Sequence, residues 1–217
     1  REILAKARLK KGLTPEEAAK LCNLTDAETL EELFETARQI KHEIYGKRIV
    51  FFAPLYISNY CSNDCLYCAF RASNKSVKRH CLNDDELKTE ILLLQKQGHK
   101  RLILVFGESQ VSTATFIANT VKSVYSIKTY NTNNVEIGSI RRVNINAAPL
   151  SVDDYKIVKA SGIGTYQIFQ ETYSRKMFEI VHPQSTKKSD YEWRLFAMHR
   201  AQEAGIDDVG LGALFGL

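Results

Sequence analysis

From Arg48 onward the chain alternates short apolar runs with amphipathic stretches, and this alternation restricts the fold more than any other feature. Ile49-Val50-Phe51-Phe52 opens a strand reaching towards Ile57, and Leu102–Phe106 is a continuous apolar run of the kind buried on both faces. Val143–Asn146, Thr165–Phe169 and Asp208–Leu211 supply three further strands. Between them, helices are predicted over 84–97, 112–128, from the Ser151 cap to about Ala160, and from the Ser189 cap to Ala204. Repeated strand–helix units imply a parallel sheet with right-handed crossovers. The fold class is therefore α/β: a (β/α) TIM-type barrel truncated after about strand five, with a doubly wound open sheet as the alternative.

Residues 1–46 read differently, as an N-terminal helical segment. Thr14-Pro15-Glu16-Glu17 is a capping box with Pro at the first helical position. A second helix runs from about Asp26 to Tyr45, with Leu30, Leu33, Phe34, Ala37 and Ile40 on one face and Gly46 ending it. Residues 47–217 form the barrel core. The absence of an initiator Met and the apolar end Leu-Phe-Gly-Leu suggest a fragment cut at both ends.

The cysteines point to chemistry. Three of the five fall in Cys61-Ser62-Asn63-Asp64-Cys65-Leu66-Tyr67-Cys68, a Cys-x3-Cys-x2-Cys spacing just past the first predicted strand. An odd number with this bunching is not a disulfide framework; it indicates a reducing compartment and a metal or redox site. Three thiolates from one loop can hold three corners of a four-iron cube, leaving the fourth iron open to a ligand. Zinc needs a fourth protein ligand, and His80, Cys81 and His99 lie in no paired zinc-ribbon spacing. Cys22 and Cys81 read as incidental, and a metal role is not expected for His99 or His182. The net charge of +5 comes from 30 basic and 25 acidic residues, interspersed, with no basic patch carrying interleaved aromatics. Nucleic acid is not an expected partner. No apolar run reaches the roughly 18 residues of a membrane span.

The trio, with an aromatic just before its third cysteine, resembles the radical S-adenosylmethionine (SAM) superfamily. Downstream, Gly107-Glu108, Ile140–Asn146, Gly162–Tyr173 and Gly205–Leu217 narrow the likeness to its tyrosine lyases, the group that matures FeFe-hydrogenase or makes 2-iminoacetate for thiamine. The resemblance implies a 4Fe-4S cluster on Cys61, Cys65 and Cys68, with SAM on the open iron. It implies that Tyr67 meets adenine, Gly107-Glu108 the amino group of SAM, and Glu171 with Arg194 its ribose and carboxylate. The residues also carry plainer readings: Glu108 as a solvated turn residue, Arg194 as a helix-surface ion pair. Asn144 and Asn146 share one strand face, which lines a ligand cavity if it turns inward. Asn144 is assigned there to SAM and Asn146 to substrate. Arg141 and Arg142 are alternatives for a substrate carboxylate, with neither preferred.

The implied reaction is radical cleavage of L-tyrosine at Cα–Cβ to p-cresol and dehydroglycine, leading to CO and cyanide; the alternatives are a 2-iminoacetate synthase of thiamine biosynthesis or a non-enzymatic metal-binding module. The implied partners are a reductant such as flavodoxin or ferredoxin and other hydrogenase maturases. A second iron–sulfur cluster is expected only in a C-terminal extension of the full-length protein. Cytoplasm and an anaerobic organelle such as a hydrogenosome both stay open. The chain departs from the family pattern at Ala69, where a Gly usually stands, at Ser109-Gln110, and at Ser174, where a His usually follows Glu-Thr-Tyr. The last leaves proton handling in question.

Overall fold

The computed structural model describes residues 1–217 and divides into two compact units, Arg1–Val50 and Phe51–Leu217. The first holds α1 (Glu2–Arg8), α2 (Pro15–Cys22) and α3 (Ala27–Tyr45). The Thr14 side chain accepts from the Glu17 amide, and the Glu17 carboxylate accepts from the Thr14 amide, so the capping box forms. Asp26 caps α3, and Gly46 ends it at φ 60°, a conformation that favours glycine.

The second unit runs β1 (Ala53–Ser58), α4 (Asp84–Lys96), β2 (Arg101–Phe106), α5 (Ala114–Ser126), β3 (Lys128–Tyr130), β4 (Glu136–Ser139), β5 (Arg142–Asn146), α6 (Val152–Lys159), β6 (Tyr166–Gln167), α7 (Arg175–Val181), α8 (Tyr191–Leu195), α9 (Ala197–Glu203) and β7 (Val209–Gly210). The main sheet is wholly parallel, in the order β1-β2-β5-β6-β7. The order follows the chain and never reverses. There is no topological switch point, so right-handed crossovers place the helices on one face. This decides for a partial barrel over a doubly wound sheet.

Strand alternation sorts the two faces. Leu55, Leu102, Leu104, Val143 and Ile145 are buried against Ile91, Ile117, Val121, Tyr155 and Val158 of the helices. Each such side chain contributes roughly 1.5–3 kcal/mol by leaving water. The alternate residues, among them Tyr56, Val105, Asn144 and Asn146, are half-buried or exposed on the inner face. They are free to line a site.

Several elements differ from expectation. Residues 49–52 are exposed and form no strand, because the β1 ladder begins at Ala53 opposite Leu102, one residue into β2. The strand at 165–169 shrinks to Tyr166–Gln167, where both neighbouring ladders end. The helix expected over 189–204 is capped by Asp190, not Ser189, and breaks at Phe196 into α8 and α9. At the break the Arg200 guanidinium donates to the Trp193 carbonyl at 2.6 Å and stacks 3.6 Å from the Trp193 ring. The β3–β4 hairpin and α7 were not anticipated. Asn131 organises the hairpin turn by accepting from the Asn133 and Val135 amides, with Asn134 at φ 58°.

Candidate active site

The cysteine loop leaves the carboxyl end of β1 and is stitched to the exit of β2. The Gly107 amide donates to the Ser58 carbonyl at 2.9 Å, and the Ser62 amide to the Glu108 carbonyl at 2.7 Å. A Cβ on Gly107 would lie 2.2 Å from the Tyr60 carbonyl oxygen. Gly107 thus allows the close approach of the cysteine loop's own backbone. Arg79 holds the other side, donating to the carbonyls of Asn59, Phe70 and Arg71 at 2.7, 2.9 and 2.6 Å.

At the carboxyl ends of the strands opens a cavity of about 490 Å³. The three thiols Cys61, Cys65 and Cys68 lie along it, with Tyr67 among them. Gly107 and Glu108 come from the end of β2, Asn146 from β5, Glu171 from beyond β6, and Arg194 from α8. Val105, Phe106, Ile168 and Phe169 supply apolar wall. Barrel enzymes place their chemistry at this end.

The polar groups form two linked sets. The Asn63 amide donates to Glu108 Oε2 at 2.6 Å, and Asn63 Oδ1 accepts from the Lys188 backbone N–H at 3.0 Å. Lys188 Nζ donates to Tyr67 Oη at 2.7 Å and to Glu171 Oε1 at 3.0 Å. Arg194 approaches the same carboxylate oxygen to 3.9 Å and donates its Nε to the Phe169 carbonyl at 2.8 Å. Glu171 has φ 71°, a costly backbone for a non-glycine residue and one concentrated at functional sites.

Burial shifts the ionisations. It pushes the Cys65 thiol up, with the Lys188 charge opposing. It raises the Tyr67 phenol well above its usual value, helped by the Cys65 and Glu171 charges. It draws the Lys188 ammonium down, with Arg194 adding and Glu171 opposing. His182 is fully buried, its Nε2 2.7 Å from Tyr67 Oη, and burial together with the Lys188 and Arg194 charges brings its pKa down to about 4. It is neutral at physiological pH.

Nine of the twelve residues singled out from the sequence line this cavity: Cys61, Cys65, Cys68, Tyr67, Gly107, Glu108, Asn146, Glu171 and Arg194. Arg141, Arg142 and Asn144 do not. Arg142 pairs with Arg101 across the strand starts, at the amino end of the sheet, and is bound to Asp208 and Thr165. Arg141 lines a separate cavity at that end. Asn144 lies below the site, its Oδ1 taken by the Thr165 amide at 3.1 Å and Arg142 Nε at 3.3 Å. β5 begins at Arg142, which puts Arg141 and Arg142 at the amino end of the sheet, and Asn144 lies mid-strand, so none of the three reaches the mouth. Lys188, His182 and Asn63 were missed.

The residues fit an iron–sulfur cluster. All three thiols are unpaired, and soft thiolates suit iron–sulfur centres. No three His, Cys, Asp or Glu side chains converge on a single point. Cubane ligands sit on separate irons and need no such convergence. Lys188 and Arg194, almost buried, share the one carboxylate Glu171, leaving a local excess of positive charge that an anionic group balances.

The family model of the radical SAM superfamily matches residues 55–217. A crystal structure of HydG, a maturase of the FeFe-hydrogenase, superposes with TM-score 0.93 at 51% identity, covering 99% of this chain and 46% of that one. HydG from Carboxydothermus hydrogenoformans follows with TM-score 0.86 at 40% identity over 98% of this chain and 47% of its own. The 2-iminoacetate synthase of Salmonella typhimurium is 35% identical over 88% of this chain and 47% of its own length. The chain spans about half the length of these relatives. Sheet order, cysteine loop and family model agree, and the chain belongs to the radical SAM superfamily.

Proposed function

We propose that the chain is the radical SAM half of a HydG-type tyrosine lyase, which cleaves the Cα–Cβ bond of L-tyrosine to p-cresol and dehydroglycine and so provides CO and cyanide for FeFe-hydrogenase maturation. One observation carries this reading: three unpaired thiols share a cavity with Glu108, Glu171 and Arg194 in a chain 51% identical to HydG. Cys61, Cys65 and Cys68 would hold a 4Fe-4S cluster, with SAM bound beside it. When bound, the cluster and SAM supply one-electron cleavage of the sulfonium and a 5′-deoxyadenosyl radical.

The chain's own residues bind, orient and exclude water. Glu108, steadied by Asn63, accepts from the SAM ammonium. Arg194 faces its carboxylate, and Glu171, aimed by its strained backbone, accepts from the ribose hydroxyls. The Tyr67 ring meets adenine, fixed by His182 and Lys188 at its hydroxyl. Phe106, Ile168 and Phe169 keep the reacting region dry. Asn146, whose Nδ2 is bound to the Gln167 carbonyl at 3.2 Å, presents Oδ1 to the substrate amine.

The partners are free L-tyrosine, a flavodoxin or ferredoxin as reductant, and other hydrogenase maturases. The second cluster belongs to the remainder of the full-length protein, and the setting is the cytoplasm or an anaerobic organelle. No helix is long and apolar enough to cross a membrane. The likeness to 2-iminoacetate synthase keeps a thiamine-type lyase as the second reading, with the same first cleavage.

Anaerobically reconstituted full-length protein, given tyrosine, SAM and dithionite, should release p-cresol. Cyanide alongside the cresol assigns the hydrogenase role, and cresol without cyanide assigns the thiamine-type reaction. No cresol from fully loaded protein would discard both.

A further inference from the structure

We propose that Lys188 is a positioning residue that sets the electrostatics of the cluster: its ammonium, held between Tyr67 and Glu171 beside the cysteine loop, favours the reduced state. The proposal rests on the radical SAM reading and deepens it.

Lys188 sits on a short 3-10 turn, Lys187–Ser189, far in sequence from the cysteines. Its side chain is only 10% exposed. Burying an ammonium is unfavourable and is tolerated where its partners are fixed. Both ends of the residue are fixed on the cysteine segment. The backbone N–H donates to Asn63, between Cys61 and Cys65, and Nζ donates to Tyr67, between Cys65 and Cys68. The ammonium also lies 5.2 Å from the centre of the Tyr67 ring.

The local charges do not cancel. Glu171 is shared with Arg194, so two cations face one carboxylate within a nearly dry wall. Glu108, the other acid of the cavity, is held by Asn63. Three thiolates outweigh the charge of an oxidised four-iron core by about one unit, and the electron that reduces it adds another. A fixed positive charge stabilises the more negative state, and in a low-dielectric site it does so strongly. In the reduction itself one electron enters the cluster from an external one-electron donor, and no bond to Lys188 forms or breaks.

The test is an EPR-monitored redox titration of the reconstituted full-length protein, read at the signal that changes when SAM is added, with iron content and thermal unfolding measured alongside. In K188M, which removes the charge, the midpoint should move to more negative potential at unchanged iron content. K188R should restore it. E171Q, which relieves the ammonium of its counter-charge, should move it the other way. An unchanged midpoint in fully loaded K188M would overturn the proposal, as would an equal shift in K188M and K188R, which would assign the effect to packing. If K188M does not load, K188Q decides: a shift to more negative potential supports the role of Lys188, and none refutes it. A wild-type protein that takes up no four-iron cluster would instead overturn the radical SAM reading, and the Lys188 proposal with it.

Discussion

The two ends of the sheet carry cavities of similar size, about 490 Å³ at the carboxyl ends of the strands and about 450 Å³ at the amino ends, with opposite chemistry. The upper one gathers three thiols, two carboxylates and two buried cations against apolar wall. The lower one is lined by Lys100, Arg101, Arg141 and Arg142, with Arg142 satisfied by Asp208. Strand direction separates them. In a parallel sheet every strand releases its following loop at the same end, so residues far apart in sequence meet there. At the amino ends the residues are held by one another and by the sheet. Cationic residues alone do not make a site; convergence of unlike groups does.

That contrast can be broken from the upper side. Gly107→Ala places a methyl against the Tyr60 carbonyl, and the cysteine loop must move. An overpacking cost of about 1–3 kcal/mol at this joint is expected. SAM cleavage by the reconstituted protein should fall about tenfold or more, equivalent to about 1.4 kcal/mol in the barrier. Wild-type rates would show that the loop is not braced by β2.

His182 sharpens the contrast through pH. Its folded pKa of about 4 lies below the ordinary value of 6.5. The unfolded chain therefore binds the proton more readily, and the His182 contribution to stability falls as pH drops from about 6.5 towards 4. Denaturant unfolding over that window should show less acid destabilisation in His182→Gln than in wild type. Equal slopes would mean that His182 titrates normally in the folded protein.

The smallest effect belongs to the lower end. Arg142→Ala should cost no more than about 1 kcal/mol, because its pair with Asp208 is partly exposed, and should leave SAM cleavage unchanged. Arg141→Ala should alter neither. A large loss of tyrosine affinity in either variant would return these residues to substrate recognition.

The sequence made the upper site partly legible for a local reason. The cysteine spacing, Gly107-Glu108 and the carboxylate after β6 are each written within one loop. The alternation of strands and helices gave the sheet direction. Lys188 and His182 were hidden because each is recruited over more than a hundred residues, by contacts to Tyr67 that no local pattern encodes. Adjacent lysines in a turn after a buried histidine were the only available signal. Arg141 and Arg142 misled because alternation tells which face a residue takes and not which end of the strand it occupies. The β1 start failed similarly: Ile49–Phe52 has strand composition, but strands require partners.

If Cys61, Cys65 and Cys68 hold a four-iron cube, as proposed above, one iron is left open to SAM. Mössbauer and EPR spectra of the anaerobically reconstituted Cys-trio protein, recorded before and after adding SAM, test it most directly. A four-iron signal is expected, about four irons per site, in which one iron changes its environment when SAM is added. A spectrum indifferent to SAM, or a protein that carries one zinc and no cluster, would contradict it.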